Sequence, residues 1–417
     1  MKYILTAPEK LNTTVNLPAS KSISNRALII NALAGNSIVP VNMSDCDDTN
    51  VILKALDEMP PVIDIMAAGT AMRFMTAYLA VTPGEHILTG TQRMKQRPIK
   101  ALVDALKYIG ADIEYTEAEG FPPLRIRGRH LDGGHIEIKG DISSQYISAL
   151  LMIAPVLADG LEIKLDGEIV SRPYIDLTMC MMRGFGADAE WTGADTIKVN
   201  PKPYEPKSFI IENDWSAASY WYEALMLRRD AESEITLTGL TDGSRQGDSA
   251  IKYLFSMLGV RTTFKTRERG VPTTVTLKLV ETKPPRLDYD FVNQPDMAQT
   301  MTVCCALSDI PFRFTGLASL KIKETDRLDA LKTEMRKLGY VVRENNTGEL
   351  SWNGERCRPD NDIVINTYED HRMAMAFAPA AILYPGIRID NPHVVSKSYP
   401  HFWDDMRRAG FTITEEQ

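Results

Sequence analysis

The hydrophobic pattern of the chain indicates two kinds of helical segment. Segments of the first kind are apolar nearly all round, which is typical of buried helices. These segments are 27–33, 74–81, 146–157, 217–227, 297–307 and 373–383. Segments of the second kind are amphipathic and are 51–58, 101–109, 176–185, 250–258, 330–338 and 402–409. The two kinds alternate along the chain, which predicts six units that each contain a buried helix and a surface helix.

The amphipathic segments end in a recurring way. Five of the six are followed by a glycine, a common helix stop. These glycines are Gly110, Gly186, Gly259, Gly339 and Gly410. A short stretch of alternating residues comes next, such as 111–115 or 411–414, which predicts a strand. The recurrence favours an α/β protein built from one repeated supersecondary unit. Ordinary alternation of helices and strands is the alternative interpretation.

The length of 417 residues allows two domains with separate cores. Six units divide naturally into two domains of three. Pro201, Pro203 and Pro206 lie in a polar stretch around 200–213 that is typical of a linker. The pattern therefore predicts the α/β class with two similar domains.

Composition narrows the class of protein further. No stretch approaches the ~20 apolar residues of a membrane helix, and the N-terminus has no secretory or transit pattern. Five cysteines without a Cys-x-x-Cys pair favour reduced thiols and a cytoplasmic location. The six histidines show no zinc-type spacing, so no metal site is expected. A formal charge of −8 disfavours nucleic-acid binding but permits a local basic site for anions.

Basic and hydroxyl residues gather at the starts of the buried helices. The first start contains Lys21, Ser22, Ser24 and Arg26, and either serine is predicted to cap the helix. At the second start, Gly69 would let an anion approach the backbone. Further polar starts are Ser143-Ser144-Gln145 and Asp370-His371-Arg372. Loops before the amphipathic helices add Arg97, Ser171, Tyr174, Lys323, Arg327 and Lys397.

These positions suit a site for multiply charged anions. If the helices of each domain run parallel, their N-termini point to one face, where the helix dipole favours anions. Two such faces opposed would form a basic cleft for phosphates and carboxylates. Asp296 and Glu324 lie among these cations and suit proton transfer. A simple ion pair or helix cap is the alternative interpretation for each acid.

Nine motifs in a fixed order resemble those of the 5-enolpyruvylshikimate-3-phosphate synthase family of the shikimate pathway. They lie at 18–28, 68–73, 93–99, 143–146, 171–176, 295–296, 323–328, 370–374 and 397–400. The resemblance covers essentially the whole chain. It implies two similar domains, each of three βαβαββ units with buried helices, forming an inter-domain cleft. One domain would be 18–212, and the other would be discontinuous, comprising 1–17 and 213–417.

The resemblance also implies an activity, 3-phosphoshikimate 1-carboxyvinyl transfer (EC 2.5.1.19). Such an enzyme transfers the enolpyruvyl group of phosphoenolpyruvate to the 5-hydroxyl of shikimate 3-phosphate, and releases phosphate. The family pattern implies a cytoplasmic monomer with small-molecule substrates and no cofactor. No metal is needed in this scheme, because arginine and lysine neutralise the charge of the reacting groups.

The resemblance assigns the residues to the two substrates. Shikimate 3-phosphate would contact Lys21, Ser22, Arg26, Ser143, Ser144, Gln145, Ser171, Tyr174, Asp296 and Lys323. Phosphoenolpyruvate would contact Lys21, Gly69, Arg97, Gln145, Arg327, Arg372 and Lys397. The catalytic group would be Asp296, Glu324 and Lys21, with Asp296 accepting the hydroxyl proton and Glu324 protonating C3. Lys21 would assist the departure of phosphate.

The chain departs from the family pattern at three positions. Ala67 and Phe74 replace a usual asparagine and a frequent proline, and Ser319 replaces an asparagine that contacts the shikimate phosphate. The sequence therefore does not determine sensitivity to glyphosate, an inhibitor that competes for the phosphoenolpyruvate pocket. Two alternative functions fit parts of the same pattern. A UDP-N-acetylglucosamine enolpyruvyl transferase typically has a reactive cysteine in the loop matching 91–97, which has none here. A non-catalytic anion-binding paralogue would lack the two acids.

Overall fold

The computed structural model describes residues 1–35, 38, 40–266, 268, 270–282, 284–345 and 348–416. They form helices and mixed sheets, which confirms the predicted α/β class. The helices are α1 (Lys21–Leu33), α2 (Asp47–Glu58), α3 (Gly69–Val81), α4 (Lys100–Tyr108), α5 (Ser144–Ile153), α6 (Arg172–Gly184), α7 (Trp215–Arg228), α8 (Ile251–Leu258), α9 (Ala298–Leu307), α10 (Arg327–Lys337), α11 (His371–Phe377) and α12 (Phe402–Arg408).

The strands are short and are distributed along the whole chain. They are β1 (Lys2–Thr6), β2 (Asn12–Asn16), β3 (Val62–Asp64), β4 (Gly84–Thr89), β5 (Asp112–Tyr115), β6 (Leu124–Gly128), β7 (Gly134–Lys139), β8 (Leu161–Asp166), β9 (Ala189–Trp191), β10 (Thr196–Val199), β11 (Glu234–Thr241), β12 (Val260–Phe264), β13 (Pro272–Leu279), β14 (Leu287–Asp290), β15 (Phe312–Thr315), β16 (Arg343–Asn345), β17 (Glu349–Trp352), β18 (Val364–Ile365), β19 (Ile387–Asp390) and β20 (Thr412–Glu416).

The described strands form five four-stranded sheets with one shared design. In the order β3-β4-β6-β5, the first pair is parallel and the other two pairs are antiparallel. The buried helix α3 connects the parallel strands, as a parallel pair requires a crossover. Surface helix α4 then leads to the antiparallel strands. The sheets β7-β8-β10-β9 and β14-β15-β17-β16 repeat this βαβαββ arrangement.

Two of these sheets each include one strand from the N-terminal segment of the chain. Strand β2 pairs in parallel with β11, with Val15 opposite Leu237. Strand β1 lies between β19 and β20 and is antiparallel to both. The remaining unit contains α1 and α2, and the described residues there form only an isolated parallel bridge between Val41 and Ile210. The repeated helices are thus retained in all six units, while a four-stranded sheet is formed in five within the described residues.

The distinction between buried and amphipathic helices is confirmed. Helices α3, α5, α7 and α9 are buried along nearly their whole lengths. Helix α4 buries only one face, with Leu102, Val103 and Leu106 at its centre. Burial of one large apolar side chain stabilises the fold by about 1.5–3 kcal/mol. The buried helices therefore supply much of the core, an inside-out arrangement in which sheets flank helices.

The predicted glycine stops are also confirmed. All five glycines have positive φ, between 88° at Gly186 and 100° at Gly259. Only glycine adopts this left-handed region without a steric cost. Each glycine ends its surface helix and leads toward the next strand, as the repeated pattern predicted.

The chain divides into two compact units. Ser20–Ile211 is the continuous unit, and Met1–Ala19 with Glu212–Gln417 is the discontinuous unit. In the continuous unit, α1, α3 and α5 contact one another. In the discontinuous unit, α9 contacts both α7 and α11. In the described parts of the chain, no helix combines the length and apolar character that a membrane span requires.

Candidate active site

The starts of the packed helices in the continuous unit lie close together. Gln145 Nε2 donates a hydrogen bond to Thr70 Oγ1 (3.1 Å), which joins the starts of α5 and α3. Arg26 of α1 contacts the carbonyl of Tyr174 in the first turn of α6. Because α1, α3 and α5 are buried and α6 packs against α5, these helices hold their polar first turns in fixed positions. The structure therefore brings the predicted hydroxyl and cationic residues of this unit into one region.

Arg26 is a buried cation with uncharged partners. It is 3% exposed, and its Nε donates to Thr178 Oγ1 (2.7 Å). Its Nη2 donates to Ser148 Oγ (3.1 Å), and its Cζ lies 5.3 Å from the ring centre of Phe74. Burial lowers the pKa of Arg26 to about 10, with Tyr174 opposing this effect. The guanidinium is therefore charged at neutral pH, and no carboxylate forms an ion pair with it in the described part of the chain.

The predicted caps of α1 are wrong. Ser20 occupies the N-cap position, and its side chain makes no capping hydrogen bond. Ser22 and Ser24 lie inside the helix, where the Ser24 hydroxyl accepts a hydrogen bond from Ser44 N (3.0 Å). The apolar pattern becomes visible only at Ala27 because the first turn carries polar site residues. The helix therefore begins earlier than the pattern indicates.

Lys21 is held by a partner that the sequence did not single out. Its ammonium lies 3.1 Å from Asp48 Oδ2, and the two side chains are 16% and 11% exposed. Asp48 lies in the first turn of α2, where a carboxylate also interacts favourably with the helix dipole. The ion pair fixes the Lys21 side chain at the start of α1.

Arg97 packs directly against the start of α3. A Cβ atom on Gly69 would lie 2.5 Å from Arg97 Nη1, so a larger residue at this position would displace the Arg97 guanidinium. The sequence predicted that an anion would approach Gly69, whereas the structure places the Arg97 guanidinium there. Arg97 is 8% exposed, and its Nε has no hydrogen-bond partner among the described residues. An anion that reaches this position would therefore meet the Arg97 side chain beside the Gly69 backbone.

Two further side chains hold the loop that carries Arg97: Arg73 from α3 and Tyr146 from α5. Arg73 donates hydrogen bonds to the carbonyls of Gly69 (2.9 Å) and Pro98 (3.1 Å). The Tyr146 hydroxyl also donates to the Pro98 carbonyl. These contacts hold the Arg97 backbone in place, so Arg73 and Tyr146 contribute to the geometry of the site.

Serines provide further donors at two helix starts. Ser143 caps α5, and its hydroxyl accepts a hydrogen bond from Gln145 N (3.4 Å). Ser144 follows as the first residue of α5 and is 7% exposed. Ser171 occupies the N-cap position of α6 without a side-chain capping hydrogen bond, and its φ of +55° is uncommon for a residue other than glycine. Such backbone strain is often found at binding sites. The hydroxyl and amide groups here suit a phosphate or sugar hydroxyl.

The discontinuous unit gathers a second set of predicted residues around Asp296. Its Oδ1 lies 2.8 Å from Arg327 Nη1 and 3.6 Å from Lys323 Nζ. Its Oδ2 lies 3.2 Å from Arg372 Nη2. Burial raises the pKa of the Asp296 carboxyl, but Arg372, Lys323 and Arg327 outweigh it and hold the pKa well below its usual range. Asp296 is therefore ionised at neutral pH in the unliganded protein.

Arg327 is the common partner of three acids. Its Nε lies 2.6 Å from Asp370 Oδ2, and its Nη2 lies 3.0 Å from Glu324 Oε2. Burial lowers the pKa of Arg327, but Asp370, Glu324 and Asp296 raise it above its ordinary value. Asp370 is fully buried and also caps α11 by accepting a hydrogen bond from Arg372 N (2.9 Å). Asp370 thus links Arg327 to the helix start that presents Arg372.

Lys397 lies close in space to the same network, although it is 28 residues from Glu369 in the chain. Its ammonium donates a hydrogen bond to the carbonyl of Glu369 (2.8 Å), the residue before Asp370. The discontinuous unit therefore brings together Asp296, Lys323, Glu324, Arg327 and Arg372, and places Lys397 beside the loop that carries Asp370. The predicted acids and cations of this unit are direct partners.

Sequence reasoning missed four residues that hold the site: Asp48, Asp370, Ser148 and Thr178. Asp370 is part of the Asp370-His371-Arg372 motif, but it was predicted only as a polar residue at a helix start and not as a partner of Arg327. Ser148 lies four residues after Ser144, and Thr178 lies four residues after Tyr174. A hydroxyl one turn beyond a polar helix start is the available signal, since it lies on the same helix face. Asp48 gave no such signal beyond its place at a helix start.

Comparisons with known proteins agree over the whole chain. The family profile of EPSP synthase (3-phosphoshikimate 1-carboxyvinyltransferase) matches residues 5–63 and 58–406. A Bacteroides fragilis 3-phosphoshikimate 1-carboxyvinyltransferase is 60% identical over 413 residues, covering 99% of each chain. The protein of the same name from Shewanella halifaxensis is 34% identical, covering 95% of this chain and 97% of its own.

Solved structures support the fold. An EPSP synthase from Acinetobacter baumannii superposes with a TM-score of 0.77 at 19% identity, covering 99% of this chain and 100% of its own. An enolpyruvyl transferase from Streptomyces tendae gives a TM-score of 0.74 at 17% identity, covering 99% and 98%. The predicted family, transferase class and place in the shikimate pathway are confirmed by the sequence comparisons. The chain belongs to the EPSP synthase (3-phosphoshikimate 1-carboxyvinyltransferase) family.

Proposed function

We propose that these residues bind the two substrates of 3-phosphoshikimate 1-carboxyvinyl transfer. In this proposal shikimate 3-phosphate makes ten residue contacts. These contacts are Lys21, Ser22, Arg26, Ser143, Ser144, Gln145, Ser171, Tyr174, Asp296 and Lys323. Arg26 supports this proposal most directly, because it is a buried cation whose contacts are uncharged. A phosphate dianion supplies the missing negative charge.

In this proposal phosphoenolpyruvate shares Lys21 and Gln145 with shikimate 3-phosphate and has its other contacts to itself. Its contacts are Lys21, Gly69, Arg97, Gln145, Arg327, Arg372 and Lys397. Arg97 supports the assignment because it is nearly buried against Gly69 and its Nε has no hydrogen-bond partner among the described residues. A carboxylate or phosphate oxygen satisfies such a donor, and an arginine fork suits both groups.

The proposed reaction is addition followed by elimination. The 5-hydroxyl oxygen forms a bond to C2 of phosphoenolpyruvate while Asp296 accepts the hydroxyl proton and Glu324 delivers a proton to C3. A proton then returns from C3 to Glu324, the bond between C2 and the phosphate oxygen breaks, and phosphate departs with help from Lys21. The products are 5-enolpyruvylshikimate 3-phosphate and phosphate. General acid–base catalysis of this kind contributes typically about 10²–10⁴-fold to rate.

The electrostatics of Asp296 suit this role only when substrates are present. In the unliganded protein three cations hold its pKa well below the usual range, which makes it a weak base. Phosphoenolpyruvate and shikimate 3-phosphate bring several negative charges close to the same cations. Nearby negative charge raises a carboxyl pKa. Substrate binding therefore strengthens Asp296 as a proton acceptor at the time it is needed.

The decisive assay measures phosphate release from purified protein supplied with shikimate 3-phosphate and phosphoenolpyruvate together. We expect release only when both substrates are present. Equal release without shikimate 3-phosphate, or none with both, contradicts the activity. UDP-N-acetylglucosamine as the acceptor provides the matched control, and release with this acceptor alone would favour the related transferase. Mass spectrometry of the organic product identifies which hydroxyl received the enolpyruvyl group.

We further propose that the two units correspond to the predicted domains 18–212 and 1–17 with 213–417. The protein is proposed to act in the cytoplasm as a monomer without a cofactor. Five free thiols, three of them buried, support a reducing compartment. Light scattering of the purified protein tests the oligomeric state, and a mass twice that of the 46.6 kDa chain would overturn the monomer.

A further inference from the structure

Two buried hydroxyl groups form a pair beside Arg26. Ser148 of α5 and Thr178 of α6 are both 0% exposed, and their hydroxyl oxygens lie 2.9 Å apart. Arg26 Nε donates to Thr178 Oγ1, and Arg26 Nη2 donates to Ser148 Oγ. One guanidinium edge is therefore held by two helices at once.

The donors and acceptors in this cluster can be assigned. Thr178 Oγ1 lies 2.8 Å from the Tyr174 carbonyl, which can only accept, so the threonine hydroxyl donates there. Ser148 must then donate to Thr178 Oγ1, because the single threonine proton is already used. Both hydroxyl oxygens thus present lone pairs to the guanidinium. The remaining edge of Arg26 donates to the Ser22 carbonyl (2.9 Å).

This arrangement is unusual for a buried arginine. Buried charges are generally paired with an opposite charge. Neutral oxygens satisfy the hydrogen bonds of Arg26 without cancelling its charge. The partners Ser22 and Tyr174 also belong to the proposed shikimate 3-phosphate site, so the cluster connects the guanidinium to that site directly.

We propose that Ser148 and Thr178 are positioning residues that fix Arg26 through uncharged acceptors and so keep its positive charge available to the phosphate of shikimate 3-phosphate. This inference rests on the proposed role of Arg26 in binding that substrate. Neither residue needs to touch the substrate.

The first test compares Thr178→Val with Thr178→Ser. Valine has nearly the same shape but no hydroxyl, while serine keeps it. Hydrogen bonds to charged groups are the stronger class, so Thr178→Val is expected to raise KM for shikimate 3-phosphate roughly tenfold or more. Thr178→Ser is expected to stay within about threefold of wild type. KM for phosphoenolpyruvate and kcat at saturation are expected to change less than twofold in both. Equal effects on the two substrates, or no effect of valine, overturn the proposal.

The second test concerns the neutrality of the acceptors. Ser148→Asp and Ser148→Asn differ by one charge at nearly constant size. The aspartate would cancel the Arg26 charge, so KM for shikimate 3-phosphate is expected to be at least about tenfold higher for Ser148→Asp than for Ser148→Asn. Thermal unfolding of both variants measures the structural cost separately. Equal KM values in the two folded variants overturn the charge argument.

Arg26→Met separates failure of this inference from failure of the proposed function. If Arg26→Met raises KM for shikimate 3-phosphate strongly and Thr178→Val does not, the positioning role fails alone. If neither variant changes that KM, the proposed role of Arg26 fails as well. Wild-type phosphate release reports independently on the activity itself.

Discussion

Arg26 and Arg327 are both buried guanidinium groups, and the chain satisfies them in opposite ways. Arg26 contacts Ser148, Thr178 and backbone carbonyls, which carry no charge. Arg327 contacts carboxylates of Asp296, Glu324 and Asp370. Each solution meets the hydrogen-bonding requirement of a buried cation, but only the second also neutralises it.

This difference in contacts fits two different roles. The unneutralised Arg26 suits anion binding, whereas the carboxylates around Arg327 suit proton transfer. In the discontinuous unit, three acids balance the three cations Arg327, Arg372 and Lys323. Balanced charges keep carboxylates in place for acid–base chemistry before substrate arrives. In the continuous unit, the charge of Arg26 is uncompensated by its contacts, which favours a bound anion as its partner. The comparison therefore predicts different consequences for equivalent substitutions.

The largest effect is expected at the acids of the balanced site. Asp296→Ala or Glu324→Ala should lower turnover by about 10²–10⁴-fold, because each removes a proton acceptor or donor. Steady-state phosphate release at saturating substrates measures the loss. Circular dichroism and thermal unfolding confirm that the variants are folded. Near-normal turnover in both variants contradicts the proposed roles and would make these acids purely structural partners of Arg327.

The next largest effect is expected on the free energy of unfolding, and it compares Arg327 with Arg26 directly. Arg327→Met leaves Asp370 buried without its cation, and breaking such a buried pair costs about 3–5 kcal/mol. Arg26→Met leaves only neutral hydroxyls that still bond to each other, so the cost is expected to stay below about 2 kcal/mol. Urea denaturation of the two variants gives both free energies of unfolding. Equal losses would show that the two arginines are held in equivalent ways.

A third prediction uses a buried acid that forms no ion pair with any cation in the described part of the chain. Glu223 is 0% exposed, and its carboxyl oxygens have no hydrogen-bond partner among the described residues. Burial raises its pKa well above 4.5. Its stabilising contribution is present below pH 4.5 and is lost as pH rises through the folded-state pKa. The free energy of unfolding should therefore fall with pH by up to about 1.4 kcal/mol per unit more in wild type than in Glu223→Gln.

Denaturation of both proteins between pH 5 and pH 8 measures this difference in slope. The slope rather than the absolute stability is compared, because glutamine brings its own buried polar atoms. Parallel curves for the two proteins would show that Glu223 has the same pKa in the folded and unfolded states.

The smallest effect is expected at Phe74. Its ring faces the Arg26 guanidinium, and such contacts contribute about 0.5–2 kcal/mol. Phe74→Leu should raise KM for shikimate 3-phosphate a few-fold and leave KM for phosphoenolpyruvate unchanged. In the Arg26→Met background the same substitution should have no further effect on that KM. An equal effect in both backgrounds would show that Phe74 acts independently of Arg26.

Many residues of the candidate site could be predicted from the sequence, but their partners in the folded protein could not. The hydrophobic pattern located Arg26, Asp296 and Arg327 at helix starts, because periodicity and its polar interruptions depend only on residues that are close in the sequence. It placed the cap of α1 wrongly at Ser22 or Ser24, since the polar first turn hides the helix start. It also missed Asp370, whose partner Arg327 lies 43 residues away.

The sequence by itself determined the six repeated helical pairs, the five glycine stops and the residue types that suit anions. These features follow from side-chain periodicity and backbone sterics within short segments. Only the tertiary structure decided which cations are neutralised and which are not. The partners of Arg26 lie 122 and 152 residues away, on α5 and α6. Because pairing depends on how separate helices pack, two arginines that look alike in the sequence acquire different electrostatic roles.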